Sequence, residues 1–232
     1  MVRIEVRLIL VVCLLIICVQ SWASVSYYGS LTSTDGGLIG VGAWIDPSCL
    51  SPRDRARWTA PTLEWNVMQI ADSLWRYEYT VNVYKYGVSH ISVETSPSFT
   101  PADLINPQGE FGSIEMGWLP KNPGSPNIPE RLHGIKFDDV CSGTTLVIRF
   151  DSPKEPVWGD IYVKGGQTEL WNAGFVSPDV DPLDPAGNGS VRFHVLVPDT
   201  NGGGIVPEPG SWLLLGTGIS GLLTCLRRKS RK

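Results

Sequence analysis

The residues best suited to chemistry form one acidic run, Asp179-Val180-Asp181-Pro182-Leu183-Asp184, followed by Gly187 and Asn188. Carboxylate oxygens clustered in a loop are hard donors of the kind calcium takes, and an exported domain meets that ion in quantity. The spacing departs from the EF-hand rule, because Leu183 stands where a third ligand is needed. The run therefore reads first as a solvated Pro-Asp turn and second as a calcium site at Asp179, Asp181 and Asp184. No metal or cofactor is assigned from it.

Catalytic groupings are thinner. Of the three histidines, His90, His133 and His194, none stands in an H-x-x-H or H-E-x-x-H spacing, and there is no G-x-S-x-G. His194 shares a predicted strand face with Arg192 and is expected to meet solvent. His90 follows Ser89 in a predicted strand and reads as structural, while His133 precedes Gly134 at a turn. Asp138 and Asp139 are adjacent, so on a strand they point to opposite faces, whereas a glycosidase needs two carboxyls about 5–10 Å apart across one cleft. The chain is read as a non-enzyme. The remaining candidate is aromatic: Trp44, Trp58, Trp65, Trp118, Trp158 and Trp171 either stack sugar rings on a sheet face or fill a core, and alternating strands favour the core.

A framework must hold these side chains, and its patterning is that of an all-β fold. With 25 Gly and 18 Pro in 232 residues and 18% charged residues, coiled coils and helical bundles are excluded, and 42% hydrophobic content excludes a fully disordered chain. Trp75, Tyr77, Tyr79, Val81 and Val83 occupy successive odd positions, which predicts a strand with one buried and one wet face. The same alternation recurs at Leu146, Ile148 and Phe150, and at Val191, Phe193, Val195 and Val197. Further strands are predicted over 37–45, 90–94, 111–116 and 157–163, separated by turn clusters at 122–126 and 184–189. No stretch reads as a helix of three turns, and no internal repeat is present. Short strands at this spacing predict a single antiparallel β-sandwich of jelly-roll type over residues 24–200.

Both ends read as addresses. Residues 1–23 carry Arg3 and Arg7, an apolar run from Leu8 to Val19, then Gln20-Ser21-Trp22-Ala23. Twelve helical residues span roughly 18 Å, short of a bilayer core of about 30 Å. The small residues Ser21 and Ala23 predict signal-peptidase cleavage between Ala23 and Ser24. At the other end, a Gly-rich spacer at 201–205 leads to Val206-Pro207-Glu208-Pro209 and an apolar stretch at 211–226. Arg227, Arg228, Lys229, Arg231 and Lys232 close the chain. Sixteen helical residues span about 24 Å, marginal for a crossing, and basic residues stay on the cytoplasmic side. The expected topology is a transient anchor with the body outside and the basic tail inside.

Charge supports that division. Setting aside the five basic tail residues, Arg3, Arg7, Glu5 and Glu208 leaves 12 bases against 21 acids in residues 24–206, a net charge of about −9. An acidic body repels a phosphate backbone, which argues against a nucleic-acid partner. The string Gly216-Thr217-Gly218-Ile219-Ser220-Gly221 is formally a dinucleotide fingerprint, but inside a membrane segment it has neither the strand nor the acidic residue that fold requires. Its glycines suit close helix approach in the bilayer.

Pro207, Glu208 and Pro209, directly before one apolar helix and a basic end, resemble the sorting signal of the PEP-CTERM proteins, a family of bacterial exported proteins. The resemblance covers 206–232. It implies recognition and cleavage by an exosortase, a transpeptidase-like membrane enzyme of species that make exopolysaccharide. Two prolines keep the motif extended and free of helix, so a protease can grip it at the membrane surface. Segments at 77–81, 89–94 and 156–162 are similar to pieces of ectodomains that carry this tail, and they assign no activity.

With Cys13 and Cys18 in the leader and Cys225 in the apolar tail, Cys49 and Cys141 remain in the exported domain. An oxidising compartment suggests one disulfide between them, closing a loop of roughly 90 residues and contributing about 4 kcal/mol on the chain-entropy model; two separate thiols are the alternative. The expected protein is thus a surface or matrix component associated with exopolysaccharide or biofilm. Its partners are signal peptidase, the exosortase-type enzyme and, transiently, the membrane. A carbohydrate-binding module is the first alternative and a secreted hydrolase the second.

Overall fold

The computed structural model describes residues 24–119, 126–140 and 143–199. Sheet one contains β1 (Ser26–Thr32), β3 (Thr62–Ala71), β4 (Leu74–Asn82), β9 (Thr145–Ser152) and β6 (Ile105–Gly109), hydrogen-bonded in that order. Sheet two contains, in order, β2 (Leu38–Val41), β12 (Thr168–Asn172), β11 (Ile161–Gly165), β5 (His90–Glu94), β8 (Leu132–Asp138) and β7 (Ser113–Leu119). A ribbon of β10 (Pro156–Gly159) and β13 (Val195–Pro198) completes the strands. Every strand pair is antiparallel. Among the described residues the only α-helix is a single turn, α1 (Pro52–Arg55), started by Ser51, whose hydroxyl accepts from the Asp54 amide.

The two sheets meet through the faces that alternation selected. In β4 the odd residues Trp75, Tyr77, Tyr79 and Val81 are buried and the even ones half-exposed. They stand opposite Ser152, Phe150, Ile148 and Leu146 of β9. Phe150 stacks on Tyr77 at 5.4 Å and on Phe137 of β8 at 5.9 Å, so the aromatic layer bridges sheet one and sheet two. One core cluster holds Leu63, Trp65, Val67, Tyr79 and Ile148 from sheet one together with Ile91, Val93, Ile135 and Leu170 from sheet two. Each such side chain contributes roughly 1.5–3 kcal/mol on burial. Among the described residues no helix is long and apolar enough to cross a membrane.

Sheet two differs from sheet one in being covered on its outer side as well. Phe175, from the long connection between β12 and β13, packs with Ile128, Leu132 and Tyr162 in a second cluster. Consequently β5 and β11 are buried at almost every position and lose the alternating pattern. The same connection caps the free edge of sheet one: Gly189 donates its amide to the Tyr28 carbonyl (2.8 Å), and Asn188 Oδ1 accepts from the Tyr28 amide (3.1 Å). Blunting an exposed edge in this way prevents pairing with another chain.

Several boundaries differ from expectation. The strand expected over 37–45 ends at Val41, because Gly42 turns the chain at φ +80°. The one expected over 111–116 runs instead as Ser113–Leu119. The one expected over 157–163 divides at Asp160 into β10 and β11, which pair with different neighbours. In 191–197 only the last part is strand: Arg192 and Phe193 have φ of 49° and 64°, which breaks the alternation and turns His194 inward. The patterning did not single out β1, β3, β6, β8 or β12.

Candidate functional site

The break at Asp160 lies at the centre of the site. Chain pairing switches there from β13 to β5 and β12, and at the switch Asp160 and Glu94 clasp each other through the backbone. The Glu94 amide donates to the Asp160 carbonyl and the Asp160 amide donates to Glu94 Oε2, both at 2.9 Å. Asn172 at the end of β12 fixes the aspartate: its Oδ1 accepts from the Ile161 amide (2.8 Å), and its Nδ2 donates to Asp160 Oδ1 and to the Phe193 carbonyl. Asp160 and Asn172 are both fully buried.

The connection between β12 and β13 delivers the other groups. Asp179 hangs from Glu130, whose Oε2 accepts the Asp179 amide at 2.9 Å. The turn at 191–194 closes with the His194 amide donating to the Val191 carbonyl (2.9 Å), and the imidazole Nδ1 lies 3.2 Å from the same oxygen. Only glycine fits at 174, since a Cβ there would come within 2.5 Å of the His194 ring. Donor atoms of Asp160, Asp179, Asp181 and His194 all lie within 4.8 Å of one another, and His194 Nε2 is 3.8 Å from Asp160 Oδ1.

Electrostatics follow from burying like charges. Burial, then the charges of Asp181, Asp160 and Asp179, hold the Glu94 carboxyl well above the usual carboxylate range. Burial, then the charge of Asp179, does the same to Asp160. Burial also raises Asp179, with Glu130 adding to the effect, and burial lowers His194. Such a cluster holds either protons or a cation.

The acidic run is therefore only partly a solvated turn: Asp179 and Asp181 are half-buried in the cluster, while Asp184 is exposed and outside it. His194, expected at the surface, is 3% exposed. Glu94 and Asp160 escaped notice, although a charged residue inside the apolar run 157–163 was a visible signal. His90 is buried, with Nδ1 3.9 Å from Asp138 Oδ1, and Asp138 also pairs with Lys136. His133 lies against Thr95 and the exposed Trp118. Trp44, Trp65 and Trp158 are core, and the exposed Trp118 ring carries the Arg131 guanidinium 4.9 Å from its centroid.

Outside the cluster, the open face of sheet one carries a concavity of about 820 Å³. Its polar lining includes Ser30, Thr32, Glu64, Asn66 and Thr80 beside the exposed ring of Tyr28. Cys49 is exposed and unbridged to any described residue, its Sγ 3.9 Å from Asp46 Oδ2; its expected partner Cys141 lies outside the described residues. Also outside them lie the leader 1–23 with Ala23, the spacer 201–205, the sorting residues Val206, Pro207, Glu208 and Pro209, the apolar stretch 211–226 and the basic tail. Ser24 is described and exposed.

Comparison with curated proteins and with solved structures gives no match. Comparison with family models does, at residues 206–229, for the PEP-CTERM protein-sorting motif. That motif implies an exported protein, transiently anchored in the membrane and processed by an exosortase-type enzyme. At its C-terminus, after the β-domain, this chain carries the PEP-CTERM protein-sorting motif.

Proposed function

We propose that the chain is a non-enzymatic exported protein whose β-sandwich is delivered to the cell surface or extracellular matrix, where it associates with exopolysaccharide. The sorting motif at 206–229 carries this reading. Signal peptidase cuts between Ala23 and Ser24, the apolar stretch 211–226 holds the tail with Arg227 to Lys232 inside, and an exosortase-type enzyme then cuts at Pro207-Glu208-Pro209. The reading of the sandwich as jelly-roll-like is supported by repeated crossing of the chain between sheets, with β1, β3 and β4 on one and β2 and β5 on the other. A non-catalytic role suits the ectodomain because two of the four groups in its acidic cluster, Asp160 and His194, are withdrawn from solvent at 0% and 3% exposure.

A second reading, direct carbohydrate binding, is favoured by the concavity on sheet one. Hydroxyl, amide and carboxylate groups there surround one exposed aromatic ring, and sugars are held by hydrogen bonds around a stacked face.

Intact-mass analysis of protein from envelope and matrix fractions tests the main reading, beside a variant with Pro207, Glu208 and Pro209 replaced by alanine. Wild type is expected to begin at Ser24 and lack the residues beyond the motif, while the variant keeps Arg227 to Lys232 in the membrane. A tail retained in both chains reduces the motif to a linker and ends the sorting reading.

A further inference from the structure

We propose that Asp160, Asp179, Asp181 and His194 bind a divalent metal cation that fastens the β12–β13 connection to the two sheets. Three separate segments supply the donors: the β10–β11 junction, the middle of the connection, and the residue before β13. Their mutual distances, all within 4.8 Å, match ligands around one centre, because donors about 2.1–2.6 Å from an ion stand at most roughly 4.2–5.2 Å apart.

The acidic residues alone would not make a site. The decisive group is His194, 3% exposed and aimed into them. Its Nδ1 faces the Val191 carbonyl, which can only accept, so that nitrogen carries the proton. In the neutral ring Nε2 then presents a lone pair toward Asp160, and this atom is buried without a hydrogen-bond partner. A lone pair facing a carboxylate is repulsive unless something positive sits between them. An imidazole whose other N–H is anchored on a backbone carbonyl is also how metal-bound histidines are ordinarily oriented. Asp160 gives the same indication independently. It is fully buried, its Oδ1 is held by Asn172, and its Oδ2 meets no N–H or hydroxyl donor.

Three carboxylates and one imidazole form a mainly hard donor set with one borderline member, which suits calcium, manganese or zinc. Magnesium, which keeps several waters, suits so buried a site less. A cation here explains why the connection can lie over sheet two and reach the edge of sheet one without strands of its own: it ties the middle of the β12–β13 excursion and its end before β13 to Asp160. The rival occupant is a proton shared between Asp160 and Asp179.

The test uses the full chain purified in mild detergent, stripped with a chelator and dialysed separately against calcium, manganese or zinc. Metal content is measured by mass spectrometry and stability by thermal melting. At least one of the three ions is expected to remain at about one per chain and to raise Tm by about 5 °C or more. Asp160→Asn and Asp179→Asn should lose both effects, while Asp184→Asn, altered in the exposed part of the same run, keeps both. If Asp160→Asn does not fold, the metal content of wild type and of Asp184→Asn still decides. Failure to retain any of the three ions overturns the proposal and leaves the shared proton; retention by Asp160→Asn equal to wild type overturns it as well. None of these outcomes depends on whether the tail is cut.

Discussion

Replacing His90 with glutamine should remove a defined part of the ectodomain's acid sensitivity. His90 opens β5 at 7% exposure and lies 6.0 Å from the Tyr162 ring. Burial chiefly, then the charge of Lys136, pulls its pKa from 6.5 down to about 4; Lys164 acts in the same direction, and Asp138 and Glu169 oppose it. Below the unfolded value the unfolded chain takes up a proton that the folded chain refuses. The unfolded state therefore binds more protons, and stability is lost as pH falls from 6.5 through about 4. At ~1.36 kcal/mol per pH unit the window amounts to about 3 kcal/mol. Urea unfolding of residues 24–199 at a series of pH values from about 7.5 to about 4 measures it, as the difference between wild type and His90→Gln. Glu94 and Asp160, whose raised pKa values act with the opposite sign, are present in both chains and cancel. The difference should be flat above pH 6.5 and shift by about 3 kcal/mol against wild type toward pH 4. Curves that stay parallel within about 0.5 kcal/mol across the window would refute the reasoning, because His90 would then be titrating as it does in water.

Two further outcomes are expected. Phe150→Ala removes the ring that joins Tyr77 to Phe137 across the sheets, and should cost about 4 kcal/mol, or about 8–16 °C in Tm; a loss under about 1 kcal/mol would mean that Phe150 does not bridge them. Tyr28→Ala, at an exposed ring of the sheet-one concavity, should weaken binding to the host's exopolysaccharide about tenfold in affinity electrophoresis with the melting temperature unchanged. Wild-type migration unaffected by the polysaccharide would remove that reading.

The sequence was most informative where each residue's environment is set locally. Alternation from Trp75 to Val83 determined which face of β4 is buried, since a strand's side chains change sides at every residue whatever it packs against. The sorting tail was legible for a related reason: its order of prolines, apolar stretch and basic end is a linear signal and needs no tertiary partner. Sheet two was less legible, because a cover on both faces erases the period-two pattern in β5 and β11, and the cover comes from residues about 10 to 80 positions away. The cluster was legible only in fragments. Asp179 and Asp181 stood out as an acidic run, but the same run suggested Asp184, which the structure leaves exposed. Asp160 was hidden inside what read as one continuous strand. His194 was assigned to the wrong side because positive φ at Arg192 and Phe193 breaks the alternation on which that assignment relied. Local pattern thus determined the strands and the address. Only the crossing of the chain between two sheets decided which acids share a space with His194, because groups from three segments, 13 to 34 residues apart in sequence, meet there through contacts that no local spacing encodes.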